Sequence, residues 1–190
     1  PIYYGLSAQY KQADFSVGTV FTVIDYRKAG ANNGVDSEPT YNLFLTAYKM
    51  FGQFRLNLGY QHVWNSRNLS GGPNAFYAKD LGFGNAAKVK ESRKGFRSDS
   101  FVIGGSYPVG GGKLFGAFKW NMGKWHGESM KTDADRDGDR WVASLKYLYP
   151  LSKRTSLYAV GSYARGTGMF KNAESKATRL TTAFGVCHNF

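Results

Sequence analysis

One cysteine in 190 residues, Cys187, provides neither a disulfide framework nor a zinc site of several thiolates. Proline is scarce at 5 residues, and acidic side chains are outnumbered, 13 Asp and Glu against 25 Lys and Arg, for a formal net charge of +12. No apolar run reaches the length of a membrane-spanning helix, and the mean hydropathy is −0.42, so spanning helices are excluded. A membrane β-barrel is not, because its strands are apolar on one face only. Amphipathic helical periodicity is missing as well. Glycine is abundant at 24 residues, as are aromatics, with 4 Trp, 13 Tyr and 14 Phe. That aromatic share, 16%, excludes a disordered polycation, and the length suffices for one domain with a core.

The dominant period is two, and it marks nine strands, over roughly 2–11, 14–26, 40–51, 54–65, 99–109, 113–123, 140–150, 155–165 and 178–190. Most have one clean apolar row. Phe54, Leu56, Leu58, Tyr60, His62 and Trp64 oppose Arg55, Asn57, Gly59, Gln61 and Val63. Leu114, Gly116, Phe118, Trp120 and Met122 oppose Phe115, Ala117, Lys119 and Asn121. Trp141, Ala143, Leu145, Tyr147 and Tyr149 oppose Val142, Ser144, Lys146 and Leu148. The strand over 40–51 is ambiguous, since Tyr41, Leu43, Leu45 and Ala47 compete with Phe44, Tyr48 and Met50 for the apolar face.

The connections alternate strictly in length. Short ones (Gln12-Ala13, Gly52-Gln53, Gly110-Gly111-Gly112 and Leu151–Arg154) alternate with long ones over 27–39, 66–98, 124–139 and 166–177. A soluble sandwich has no reason to gather its long loops at one end. An outer-membrane barrel does, with short periplasmic turns, long extracellular loops and strands of about ten residues crossing a ~25 Å apolar band. Trp64, Trp120, Trp141, Tyr147 and Tyr149 lie near strand ends, where aromatic girdles meet lipid headgroups. Parity adds a constraint: bacterial single-chain barrels have an even number of strands, and nine is odd. The opening residues, PIYYGLSAQY, show no signal-peptide pattern and read as a strand already under way. The expectation is the C-terminal part of a longer barrel, with residues 1–190 in a single domain.

The segments YPLSKRTSLYAVGSYARG at 149–166 and TRLTTAFGVCHNF at 178–190 resemble the penultimate periplasmic turn and closing strand of the trimeric general porins of Gram-negative outer membranes, particularly the betaproteobacterial type. Phe51-Gly52 and the Tyr-rich strands add to the likeness, whereas Cys187 and Asn189 stand where the family's closing run is basic. The resemblance implies an all-β, antiparallel transmembrane β-barrel of 16 strands, of which the last nine are present, the N-terminal strands and constriction loop being absent. It further implies a homotrimer in the outer membrane, embedded in lipid, conducting small hydrophilic solutes and ions passively. Phe184, Val186, His188 and Phe190 match the row by which the outer-membrane assembly machinery recognises such barrels.

Taken over 27–40, 65–99, 123–140 and 165–178, the long connections with their flanking residues hold sixteen basic residues against eleven acidic ones, and the remaining strands and short turns nine against two. Lys119, Lys146 and Arg179 alternate with the lipid-facing rows and are expected to point into the lumen, with Arg55 close to a periplasmic turn. A Lys on the lipid face near midplane costs ~2–4 kcal/mol, which favours the inward assignment. Counted from their own turns, Lys119 and Lys146 fall at similar depth, and their shared field predicts a preference for small anions.

Other motifs carry less. Asp133, Asp135, Asp137 and Asp139 begin like an EF-hand loop, but Ser144 stands where the bidentate Glu is needed. At most the loop offers a loose Ca²⁺ contact, and no cofactor is expected. His62, His126 and His188 lack a metal-binding spacing, no nucleophile elbow or Walker spacing is present, and no enzyme is expected. The basic segment 66–98 contains Phe76, Tyr77, Phe83 and Phe96, which a porin loop explains as well as nucleic-acid stacking does. No nucleic-acid partner is assigned. The rival readings are an adhesin or binding protein working through its long loops, and a soluble β-barrel ligand carrier.

Overall fold

Period-two patterning becomes a single antiparallel sheet in the computed structural model, which describes residues 2–25, 38–66, 96–126, 137–168 and 178–189. The strands are β1 (Ile2–Lys11), β2 (Phe15–Asp25), β3 (Thr40–Phe51), β4 (Phe54–Ser66), β5 (Phe96–Val109), β6 (Gly112–Trp125), β7 (Asp137–Pro150), β8 (Thr155–Gly166) and β9 (Thr178–His188). Each pairs with its sequence neighbours, so the order in the sheet is the order in the chain. Among the described residues no helix is long and apolar enough to cross a membrane, which says nothing against crossing by strands. Asp133, Asp135 and Phe190, and the aromatics Phe76, Tyr77 and Phe83, lie outside the described residues.

Two boundaries differ by three residues from the sequence expectation: β5 begins at Phe96 and β7 at Asp137. Arg97, Ser98 and the Asp137–Arg140 segment continue strand pairing beyond the apolar rows. There both faces can meet water, so pairing persists without the hydrophobic alternation that marks a strand in sequence.

Cross-strand partners share a face, so the register sorts the whole sheet into two surfaces. One carries the expected rows of β4, β6 and β7, continued by Leu6 opposite Phe21, Phe101 opposite Trp120, and Leu157 opposite Val186. Its large side chains are exposed: Leu6 is 75% accessible, Leu180 72% and Phe184 89%. The other face is polar, with Ser16, Ser98, Ser100 and Ser106 buried on it. A soluble fold buries its apolar face; this one presents it outward, the arrangement for a hydrocarbon solvent. The ambiguity of β3 is resolved by its pairing. Tyr41 opposes Trp64 and Leu45 opposes Tyr60 on the apolar face, which leaves Phe44, Tyr48 and Met50 on the polar one.

The short turns have the chemistry that tight hairpins need. Gly52 (φ 60°) opens a two-residue turn between Phe51 and Phe54. Gly110 and Gly111 (φ 57° and 78°) fill the turn between Val109 and Gly112, which requires positive φ at both positions. In the turn after β7, Ser152 Oγ accepts hydrogen bonds from the backbone N–H groups of Arg154 (3.2 Å) and Thr155 (3.0 Å). After β1, the Met50 N–H donates to the Asp14 carbonyl (2.7 Å), while Lys49 pairs with the Asp14 carboxylate, tying one turn to the next.

Candidate functional site

Acidic charge on the described strands is confined to one face, the apolar one, which the cations Lys49, Arg97, Lys124 and Arg165 share. Among the described strand residues the polar face carries Lys11, Arg55, Lys113, Lys119, Arg140, Lys146 and Arg179, and no carboxylate. The described strand carboxylates, Asp25, Asp99, Asp137 and Asp139, all lie on the apolar face near the long-connection end. Polar neighbours satisfy one another without acids: Gln61 Nε2 donates to Asn42 Oδ1 (3.1 Å), Ser100 Oγ to Asn121 Oδ1 (3.1 Å) and Gln9 Nε2 to Ser16 Oγ (3.2 Å). Residues expected to point the same way, Arg55, Lys119, Lys146 and Arg179, do share one face. Arg140 joins them. Sequence reading placed it at the first residue of the strand over 140–150 and did not include it among the lumen-facing cations.

The expectation that Lys119 and Lys146 lie at the same level is overturned by the register. Lys146 opposes Phe115, whereas Lys119 opposes Val142. Phe115 and Lys119 are four residues apart, about 13 Å along the strand. The reason is that β7 runs past the start of β6: Lys113 pairs with Leu148, and Tyr149 and Pro150 extend below it. Counting from each turn treated the two turns as level. The four-residue offset weakens repulsion between the two ammonium groups and spreads positive charge along the face.

A recess of about 770 Å³ opens on the polar face, with Gln9, Ser16, Asn57 and Ser144 in its lining beside Arg55 and Lys146. Arg55 sits over Tyr48, its Cζ 3.9 Å from the ring centroid and its Nε donating to Asn57 Oδ1 (2.8 Å). Lys146 Nζ stands 5.9 Å from the Phe115 ring and 5.8 Å from Tyr158. Tyr48, one of the aromatics that blurred the pattern of β3, and Phe115 of β6 thus serve as platforms for cations.

On the apolar face the girdle residues fall at two levels. Trp120 opposes Trp141, and Tyr163 packs on Trp141 at 5.4 Å between ring centroids. At the short-turn end the Tyr147 hydroxyl lies 3.0 Å from the carbonyl oxygens of Val109 and Gly110. A polar trio breaks this face near the long-connection end. The Tyr60 hydroxyl donates to Asp99 Oδ1 (2.6 Å), which also lies 2.5 Å from His62 Nδ1. His62 is 5% exposed, its ring 4.0 Å from that of Trp64. Sequence reading placed His62 on the lipid-facing row but not its partner. The available signal was that Asp99 shares the parity of Phe101 and Ile103.

Asp137 and Asp139 belong to β7, not to a loop, and Asp137 Oδ2 accepts from Lys124 Nζ at 3.3 Å. Phe184 and Val186 stand outward on β9, and His188 Nδ1 lies 2.8 Å from Thr155 Oγ1. Cys187 is exposed on the opposite face.

Three likenesses accord with this geometry. Residues 2–168 match the model of the Gram-negative porin family. An outer membrane porin protein of Bordetella pertussis is 36% identical over 110 residues, 57% of this chain and 24% of that protein. Among solved structures, the anion-selective porin from Comamonas acidovorans superposes with a TM-score of 0.62 at 19% identity, over 99% of this chain and 49% of that one. Outer-membrane expressed OmpT of Vibrio cholerae gives 0.56 at 15% identity, over 98% and 55%. At such identities the superpositions speak for the β-barrel fold alone, and the chain spans about half the length of the solved chains it superposes on. With a family match over most of the chain and a sheet built apolar side out, this is an outer-membrane β-barrel chain that belongs to the Gram-negative porin family.

Proposed function

We propose that the protein forms a water-filled channel for passive diffusion of small hydrophilic solutes and ions, and that the channel prefers anions. The observation that carries this is the sorting of charge: seven cations and no carboxylate on the polar face of the described strands. A permeating anion passes a succession of fixed, solvated positive charges, which raises its local concentration relative to a cation. Lys119, Lys146, Arg179 and Arg55 line this path, with Arg140 added by the register. No reacting group is required of them; porins are channels, and the protein acts as one and not as an enzyme.

The described sheet has two free edges, β1 and β9. A strand edge open to hydrocarbon leaves backbone N–H and C=O groups unpaired, at several kcal/mol each, so a barrel must close. Closure by further strands, to sixteen in all, gives these nine the place of the C-terminal half. Homotrimeric assembly follows from the same reading. Recognition of Phe184, Val186, His188 and Phe190 by the assembly machinery is supported by the outward exposure of Phe184 and Val186. A Ca²⁺ contact, if made at Asp133 and Asp135, would draw on Asp137 only in competition with Lys124.

The test is the zero-current potential of the full-length channel in a planar bilayer under a KCl gradient. An anion-selective sign is expected, moving toward cation selectivity in Lys119→Glu and further in Lys119→Glu/Lys146→Glu. Clear cation selectivity of the unmodified channel overturns the reading.

A further inference from the structure

The recess on the polar face is more than a charged surface. Arg55 opposes Ser106, Ser106 opposes Phe115, and Phe115 opposes Lys146, so two cations flank one aromatic ring in a single cross-strand row. The two ends of that row are three strand spacings apart, about 14 Å along the sheet. Ser106, between Arg55 and Phe115, is covered; the open space of the recess lies over Gly104, two residues along the same face, with Arg55, Phe115 and Lys146 in its lining. Each cation is pinned on a ring: Arg55 on Tyr48 at 3.9 Å, Lys146 beside Phe115 and Tyr158 at 5.9 and 5.8 Å. With Nε given to Asn57, Arg55 retains its terminal nitrogens for a carboxylate. A guanidinium already held over a ring loses less freedom on pairing than a mobile one.

We propose that this row is a binding subsite for aromatic carboxylates, a small planar acid whose carboxylate meets Arg55 or Lys146 and whose ring rests on Phe115. The proposal rests on the channel reading and adds to it a preference among anions. Chloride is too small to touch both a cation and the ring, and an aliphatic acid has no face to offer the ring. A neutral sugar would use carboxylate acceptors, which the polar face of the described strands does not hold. An aromatic acid uses charge and ring together.

The experiment is chloride conductance of the full-length channel in planar bilayers with sodium benzoate or sodium acetate added at equal ionic strength. Benzoate is expected to reduce the current saturably, at a concentration roughly 2- to 10-fold below that at which acetate does so, the span expected of one aromatic contact. Phe115→Leu, which keeps apolar volume, should remove most of that ratio, and Lys146→Gln should weaken block by both anions. Equal block by benzoate and acetate in the unmodified channel, or an undiminished ratio in Phe115→Leu, overturns the subsite. Equilibrium dialysis of radiolabelled benzoate against the detergent-solubilised full-length protein reads binding without a current. Benzoate bound in excess of acetate with no conductance would sink the channel reading and leave the subsite standing; no excess binding would sink the subsite.

Discussion

Moving one lysine by one residue along β7 tests the face assignment directly. Leu145 lies on the apolar face, 57% exposed, four residues from Trp141 and four from Tyr149. It therefore lies about 13 Å along the strand from Trp141 and about 7 Å from Tyr147, between the two aromatic levels. Its cross-strand partners are Gly116 and Gly161, which have no side chain to receive an ammonium group, and nothing lies within 4 Å of a Cβ built at Gly161. Leu145→Lys must hold its charge in hydrocarbon or thin the membrane around it, at ~2–4 kcal/mol. Ser144→Lys faces the other way, between Ala117 and Ser162, and adds one charge to a solvated face that already holds Lys146 two residues on. Its cost is the repulsion of neighbouring like charges, about 0.2–1 kcal/mol. The two variants should differ by about 1–4 kcal/mol. The assay is urea unfolding of the full-length protein in phospholipid vesicles, followed by tryptophan fluorescence. Equal losses, or a larger loss in Ser144→Lys, would refute the assignment of faces.

Three further outcomes are expected. Asp99→Leu takes the carboxylate from the buried His62 Nδ1, leaving it the longer contact to the Tyr60 hydroxyl at 3.3 Å, and costs about 1–3 kcal/mol, whereas His62→Leu/Asp99→Leu recovers most of it, both read from urea midpoints. Gly111→Ala places a side chain at φ 78° and costs about 1–2 kcal/mol, and Gly112→Ala also destabilises because its Cβ would meet the Leu148 carbonyl oxygen at 2.5 Å; a midpoint unchanged in both would contradict the turn geometry. The hydrogen bond from Lys49 holds the exposed Asp14 carboxyl below its ordinary value of 3.8. A depressed folded-state value means that its contribution is complete above that ordinary value and is lost as pH falls through the lowered one. Asp14→Asn should therefore flatten the acid limb of a stability–pH profile, less so at high salt; an unaltered limb at low salt would count against the pair.

Much of the fold was legible because a membrane barrel must repeat one rule in every strand. Lipid on one side and water on the other impose period two, and single turns of Gly52-Gln53 or Gly110-Gly111 type punctuate it. Legibility failed where that rule lapses. Above the apolar band, Arg97, Asp137 and Asp139 pair in strands with no hydrocarbon to set their alternation. In β3, Phe44 and Tyr48 are aromatic yet face the polar side, and Tyr48 is there as the platform for Arg55.

The sequence by itself determined the strands, the faces of most of them and the excess of positive charge, since each depends on the order of residues within one strand; the faces of β3 were decided by its pairing. Register was decided only in the tertiary structure. Alternation constrains the offset between neighbouring strands to an even number of residues and no further, because any such slip keeps every side chain on its own face. Turn lengths and the unequal reach of β6 and β7 choose among those offsets. That choice set Lys119 four residues above the level of Lys146, put Phe115 in the row between Arg55 and Lys146, and brought Asp99 beside His62 and Tyr60.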